Sequence, residues 1–200
     1  MYKAVKRLLD FLISLIAICG LSWLLIIIAL IIKIEDNGNI LFKQKRIGLN
    51  KKEFYIYKFR TMKTTTPKDV PTHLLENPDS YITTIGKFLR KSSLDELPQL
   101  FNILKGEMSL VGPRPALWNQ FDLIAERDKY GANGVVPGLT GWAQVNGRDE
   151  LPIDVKAKFD GEYVKKMSLL FDIFILFKTV VSVFKAEGVQ EGKNENNTNR

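Results

Sequence analysis

Residues 11–32 carry no ionisable side chain apart from the thiol of Cys19, whereas charged residues crowd both flanks of this run. As a straight helix it would reach roughly 33 Å, enough for a hydrocarbon core of about 30 Å. The run is longer than a secretory h-region of roughly 7–15 residues and no small-residue cleavage site follows it, so a retained segment is expected. Lys3, Lys6 and Arg7 stand before it against Asp10; Lys33, Lys43, Lys45, Arg46, Lys51 and Lys52 stand after it against Glu35, Asp36 and Glu53. Both ends therefore read as cytoplasmic by the positive-inside rule, which a single span does not satisfy. Near the middle, Gly20 weakens a helix, Ser22 can bond back to a carbonyl and bend it, and Trp23 follows. Those three residues are the expected break of a hairpin that enters and leaves one leaflet. The residue pattern by itself leaves hairpin and span open.

Beyond this segment, 39–44 and 53–59 are apolar or alternating runs around a five-residue connection at 48–52, the pattern of a β-hairpin. Residues 64–84, rich in Thr, Pro and Asp, read as a surface loop. Short helices are expected at 85–91 and 97–104, the second ended by Gly106, and helical spacing returns at 118–129. The stretch 136–148, VPGLTGWAQVNGR, reads as a Gly-rich connection without periodicity. A polar helix is expected at 153–166. Residues 168–185 are apolar but interrupted by Asp172 and Lys178, which suits either a core helix or one lying at a membrane interface. The polar tail from 187 is expected to be disordered. The fold class is thus α/β, mostly helical with a small β-hairpin: residues 1–36 a membrane helix, 37–186 a catalytic or binding domain, 187–200 a tail.

Composition narrows the chemistry. Among 200 residues there is one cysteine, Cys19, inside the apolar run, so no intramolecular disulfide can form. The single histidine, His73, argues against a zinc site and against histidine-assisted serine or cysteine catalysis. Acid, base and metal chemistry then fall to Asp and Glu, and anion binding to Arg and Lys. The net charge of +7 also suits a nucleic-acid binder, for which tyrosines beside lysines at 55–58 would be the contact surface.

The stretch 92–115, SSLDELPQLFNILKGEMSLVGPRP, concentrates candidate chemistry. Ser93 and Glu96 fit a capping box, which would make Asp95 and Glu96 ordinary first-turn residues. Pro98 lacks an N–H for the Leu94 carbonyl, so a start nearer Asp95 or Glu96 fits better. A helix N-terminus favours both an ionised carboxylate and a phosphate. An aspartate there can hold Mg²⁺ or act as a nucleophile. Arg114, stiffened by Pro113 and Pro115, offers a guanidinium fork suited to phosphate oxygens, or else marks a solvated turn. Arg148, Lys58 and Arg60 are ordinary surface charge or additional phosphate contacts.

YKFRTM (57–62), SLDELPQLFNILKGEMSLVGPRP (93–115), PGLTGWAQVNGR (137–148) and the apolar C-terminal segment resemble, in order and spacing, the monotopic bacterial phosphoglycosyl transferases. The length is similar to that of the small, bacillosamine-type members. This resemblance implies transfer of a sugar-1-phosphate from a UDP-sugar to polyprenyl (undecaprenyl) phosphate, the first membrane step of bacterial glycoconjugate assembly. It implies Asp95 as nucleophile and Mg²⁺ ligand, forming a phosphosugar-aspartyl ester, and Glu96 as its acidic partner, positioning or deprotonating the acceptor. Arg90, Arg114 and Arg148 match basic positions for phosphate or nucleotide, with Lys58, Arg60, Gln144, Asn146 and Asp160 as further substrate-binding candidates. It favours the re-entrant hairpin, although the family bends at Ser-Pro and this chain has Ser22-Trp23. Arg7 and Asp10 match a pair that would anchor to head groups. The implied location is the cytoplasmic face of the inner membrane, with bilayer lipid as a partner, no nucleic acid, and room for a homodimer.

Overall fold

The computed structural model describes residues 2–66, 78–147 and 151–185. It is mostly helical with two small sheets. Helix α1 runs from Tyr2 to Glu35 as one element of 34 residues. The helix-break-helix expected at Gly20, Ser22 and Trp23 is corrected to an unbroken helix. The physical reason lies in those same residues. Ser22 Oγ donates to the Cys19 carbonyl at 2.8 Å and stays within the helix. Gly20 costs a helix only about 1 kcal/mol, and without a proline every backbone N–H stays available.

One face of α1 is laid along the rest of the molecule. Asp10, Ser14, Ile28 and Ile32 are buried, and Ala17, Ile18, Leu24, Leu25 and Ala29 are partly buried on the same side. This spacing near 3.6 residues is the stripe of an amphipathic helix. The opposite side exposes Leu8, Leu12, Ile16, Trp23, Ile27, Leu30 and Ile34. The helix is long and apolar enough to cross a membrane. Its two ends are nevertheless tied to the same domain. Near the start, Arg7 donates to the Ile103 and Leu104 carbonyls at 2.5 and 2.7 Å, and Asp10 accepts from Ser109 Oγ at 2.7 Å and the Leu110 N–H at 3.1 Å. Arg7 and Asp10, expected at head groups, thus bind protein. Near the end, Glu35 and Asp36 reach Arg60, Thr64, Thr84 and Ile85.

Strands β1 (Leu41–Ile47) and β2 (Glu53–Phe59) form the expected hairpin, paired from Leu41↔Phe59 to Ile47↔Glu53. Its connection turns through Asn50 and Lys51 at φ 52° and 62°. Helix α2 (Thr84–Ser92) is followed by a 3₁₀ turn at Leu94–Glu96 and by α3 (Gln99–Lys105), which ends on Gly106 at φ 86°. Ile56, Leu100, Ile103 and Met108 form the core between hairpin, α3 and α1.

Strand β3 (Ser109–Val111) pairs in parallel with β4 (Gly138–Thr140), so the stretch read as a mere connection contains a strand. Three glycines permit that approach. A Cβ on Gly138 would lie 2.1 Å from Gly112 N, one on Gly141 2.1 Å from the Gly112 carbonyl oxygen, and one on Gly112 2.5 Å from the Val136 oxygen.

Helix α4 (Phe121–Asp128) packs on α5 (Ile153–Lys166), and α6 (Leu169–Lys185) closes the described chain. The two charges that interrupt α6 are both absorbed. Asp172 accepts from Tyr2 Oη, Lys6 Nζ and Tyr163 Oη at 2.8 to 2.9 Å, while Lys178 lies over the Trp142 and Phe174 rings at 4.9 and 5.4 Å. Ile175 is buried and Leu170, Ile173, Phe174, Phe177 and Val180 are exposed, so α6 is a core helix on one side and apolar on the other. The tail at 187–200 and most of the 64–84 loop lie outside the described residues.

Candidate active site

The acidic pair is presented by a reversal of the chain. Helix α2 ends at Ser93, whose N–H bonds the Arg90 carbonyl and whose backbone takes the left-handed conformation, φ 57° and ψ 16°. The Ser93 side chain makes no cap, so the expected capping box is corrected to a C-terminal cap of α2. Pro98 explains the turn that follows. It cannot serve the Leu94 carbonyl, which instead takes the Leu97 N–H at 3.2 Å, a three-residue bond with 3₁₀ pitch. Asp95 and Glu96 therefore sit in a tight turn ahead of α3.

Three cations converge on that turn. Glu96 Oε1 accepts from Lys58 Nζ at 2.7 Å and from Arg114 Nη2 at 2.8 Å, and Arg114 Nη1 lies 3.4 Å from Oε2. Lys58 Nζ is also 3.9 Å from Asp95 Oδ2. Lys58 comes from the inward face of β2, and Arg114 from the turn after β3. Arg90, in the last turn of α2, donates its Nε–H to Thr61 Oγ1 at 2.9 Å. Asp95 is buried, 9% exposed, yet among the described residues it accepts no side-chain bond as short as those of Glu96.

The two carboxyls are pushed in opposite directions. Burial raises Asp95 above the ordinary aspartate value; Lys58, Arg90 and Arg114 pull it down, and the charge of Glu96 adds to the rise. Burial also acts to raise Glu96, but Arg114 and Lys58, by charge and by hydrogen bonds, outweigh it and hold Glu96 well below the usual carboxylate range. Two neighbours in sequence thus differ in role. Glu96 is a fixed counter-ion, and Asp95 is a carboxylate with cations in reach.

The other sequence-derived candidates separate clearly. Arg60 bonds the Asp36 carbonyl and lies 3.6 Å from Asp36 Oδ2, at the end of α1 rather than on the acidic pair. Asp160 is buried between α5 and α4, bonded by Arg127 Nε at 2.8 Å and Nη2 at 2.6 Å. That is a one-to-one buried ion pair within the core. Gln144 Nε2 donates to the Leu139 carbonyl at 3.1 Å and Asn146 Nδ2 to the Trp142 carbonyl at 2.7 Å, so both brace the turn after β4. Gln144 Oε1 lies 3.2 Å from where a Gly141 Cβ would sit, beside the chain that leads to Arg114, and is buried without a partner. Arg148 lies outside the described residues. Sequence reading did not single out Thr61, although it belongs to the YKFRTM stretch; a hydroxyl two residues past the end of β2 gives no periodic signal.

No cluster of three or more His, Cys, Asp or Glu side chains exists among the described residues, so the protein builds no metal cage there. Mg²⁺ commonly binds through one or two carboxylates together with substrate phosphates, and Asp95 fits that mode. Glu96 does not fit it, because its oxygens are taken by Lys58 and Arg114.

Residues 1–186 match the family model described as bacterial sugar transferase. An uncharacterized sugar transferase, EpsL of Bacillus subtilis (strain 168), is 41% identical over 93% of this chain and 90% of its own length. The UDP-glucose:undecaprenyl-phosphate glucose-1-phosphate transferase of Xanthomonas campestris pv. campestris is 40% identical over 91% of this chain and 39% of that protein. A UDP-N-acetylgalactosamine-undecaprenyl-phosphate N-acetylgalactosaminephosphotransferase of Aeromonas hydrophila is 38% identical over 94% of this chain and 46% of that protein.

Proposed function

The chain belongs to the bacterial sugar transferases, and we propose that it transfers a sugar-1-phosphate from a UDP-sugar to polyprenyl phosphate through an ester on Asp95. The observation that carries this reading is the unequal acidic pair: a buried Asp95 faced by Lys58, Arg90 and Arg114, beside a Glu96 already neutralised. A diphosphate brings several negative charges, and convergent cations lower the cost of bringing them to a carboxylate.

In the first half-reaction an Asp95 oxygen attacks the β-phosphorus of the UDP-sugar. A carboxylate O–P bond forms, the bridging P–O bond breaks, and its electron pair leaves with UMP. In the second, a phosphate oxygen of the polyprenyl phosphate attacks the same phosphorus. The Asp95 O–P bond breaks, the carboxylate is restored, and polyprenyl-diphosphate-sugar departs. Mg²⁺, held by Asp95 and the diphosphate, would neutralise charge on the departing UMP. Glu96 positions Lys58 and Arg114; so acidic a carboxyl is a weak base, which disfavours a role in deprotonating the acceptor.

The same reading lays α1 along one leaflet with both of its ends at the cytoplasmic face of the inner membrane. Its support is that Arg7 and Asp10 at one end, and Glu35 and Asp36 at the other, bind one and the same domain. A helix crossing to the far side could not keep both sets of contacts. The exposed apolar sides of α1 and α6 then meet lipid. Cysteines introduced at Tyr2 and Thr65, with Cys19 replaced, should both react from the cytoplasmic side only; labelling from opposite sides would make α1 a span.

The chemistry is tested by UMP release from detergent-purified protein with Mg²⁺, undecaprenyl phosphate and a panel of UDP-sugars including glucose, N-acetylgalactosamine and diacetylbacillosamine. Turnover with one donor, lost in Asp95→Asn, is the expected result. Residual turnover at a few per cent in that variant would reject the covalent route.

A further inference from the structure

Glu35, the last residue of α1, caps α2. Its Oε1 accepts the Thr84 N–H at 2.6 Å and its Oε2 the Ile85 N–H at 3.2 Å, while Thr83 Oγ1 takes the Gly86 N–H at 2.9 Å. These are amides that a helix leaves without partners of its own. The next residue, Asp36, grips the neighbouring segment. Its carboxylate accepts the Thr64 N–H at 2.7 Å and the Thr64 hydroxyl at 2.9 Å, and Arg60 bonds its carbonyl. Between the two gripped segments lies the Arg90 Nε–Thr61 Oγ1 bond of 2.9 Å. The approach is close. A Cβ on Gly86 would fall 2.2 Å from the Thr61 carbonyl oxygen.

We infer that Glu35 and Asp36 are positioning residues of the transfer reaction: the end of the membrane helix holds α2 and residues 60–64 in the arrangement that keeps Arg90 in reach of Asp95. Helix α2 has only nine residues, Thr84–Ser92, too few to be stable alone, so its placement depends on outside partners. Its C-terminal end runs through Ser93 directly into the acidic turn. A shift at the capped end is therefore passed to both Arg90 and Asp95. This rests on the reading of Asp95 as the reacting carboxylate, and it makes α1 part of the frame of the site as well as its anchor.

The test is a double-mutant cycle on the full chain in detergent, measuring kcat/KM for UMP release. Glu35→Ala should lower it roughly tenfold, within the range set by loss of a helix cap. In an Arg90→Ala background the same change should cost clearly less, because the part of its effect carried by Arg90 is already lost. Equal losses in both backgrounds would overturn the inference. Leu123→Ala, which loosens the α4–α5 core, should leave kcat/KM within about twofold, separating positioning from general destabilisation. Amide exchange supplies a readout independent of turnover. Glu35→Ala should speed exchange across 84–96, and Glu35→Gln, which retains an acceptor oxygen, should restore part of the protection; unchanged protection in Glu35→Ala would also overturn it. Activity surviving in Asp95→Asn would remove the covalent reading while leaving the Glu35–Arg90 cycle interpretable.

Discussion

Two buried carboxylate–arginine sites in this molecule differ in a way that separates scaffold from chemistry. At the α4–α5 interface Asp160 meets Arg127 one to one, with their side chains 1% and 5% exposed. At the acidic turn, two carboxylates face Lys58, Arg90 and Arg114, and Arg114 keeps 29% of its side chain open to solvent. The first site is closed in charge and in space. The second gathers three cations from separate elements around one acidic turn and keeps an opening toward solvent, which is what an incoming anion requires.

The comparison is broken most severely by exchanging the two aspartates for asparagine. Asp95→Asn should abolish UMP release, because an amide nitrogen cannot replace the attacking oxygen, while urea unfolding of the detergent-solubilised protein stays close to wild type. Asp160→Asn should do the reverse: Arg127 is left buried without a counter-charge, a loss of about 3–5 kcal/mol in unfolding free energy with the reaction of the remaining folded protein intact. If Asp160→Asn instead raised KM at unchanged stability, Asp160 would belong to the substrate site after all.

Glu96→Gln sharpens the comparison by charge alone. Burial and the Glu96 charge raise Asp95, while Lys58, Arg90 and Arg114 lower it. Removing Glu96's charge deletes a raising influence and keeps the lowering pull of Lys58, Arg90 and Arg114, so Asp95 must ionise at lower pH. The acid limb of kcat/KM, which follows loss of the ionised nucleophile as pH falls, should therefore move to lower pH in Glu96→Gln. A limb that stays in place or moves upward would mean that another group controls it.

The smallest effect is expected at Ser93, which holds the reversal at φ 57°. Ser93→Gly should be neutral or stabilising by up to about 1 kcal/mol, since glycine takes that conformation without strain. A clear destabilisation, read by urea unfolding, would assign the Ser93 side chain a contact of its own.

What the sequence disclosed follows from how locally each feature is determined. The 53–59 strand, the 153–166 helix and the Gly106 stop are set by periodicity and by one glycine, and they stand where expected. The convergence of Lys58 and Arg114 on the acidic pair was accessible through resemblance, because the motifs that carry them are collinear. By contrast, β3 and β4 are three residues each and pair across a separation of 29 positions, from Ser109 to Gly138, too short and too distant to leave an alternating pattern. Arg60 and Asp160 look like site residues in sequence, yet their partners, Asp36 and Arg127, are chosen by tertiary packing. The helix expected to break at Gly20 and Ser22 stays whole because a weak residue is not by itself a breaker when the ladder can close around it.

Gly112, Gly138 and Gly141 bring main chain against main chain at the root of the Arg114 turn, with no room for even one methyl group. The backbone that carries Arg114 is therefore fixed by main-chain contact, and Glu96 holds the guanidinium itself. For anyone seeking to change the sugar this enzyme accepts, that divides the chain into two kinds of position. Side chains around the acidic turn other than Glu96 can be varied without shifting the backbone that carries Arg114, whereas a library that touches any of these three glycines would displace that backbone before it could explore a new donor.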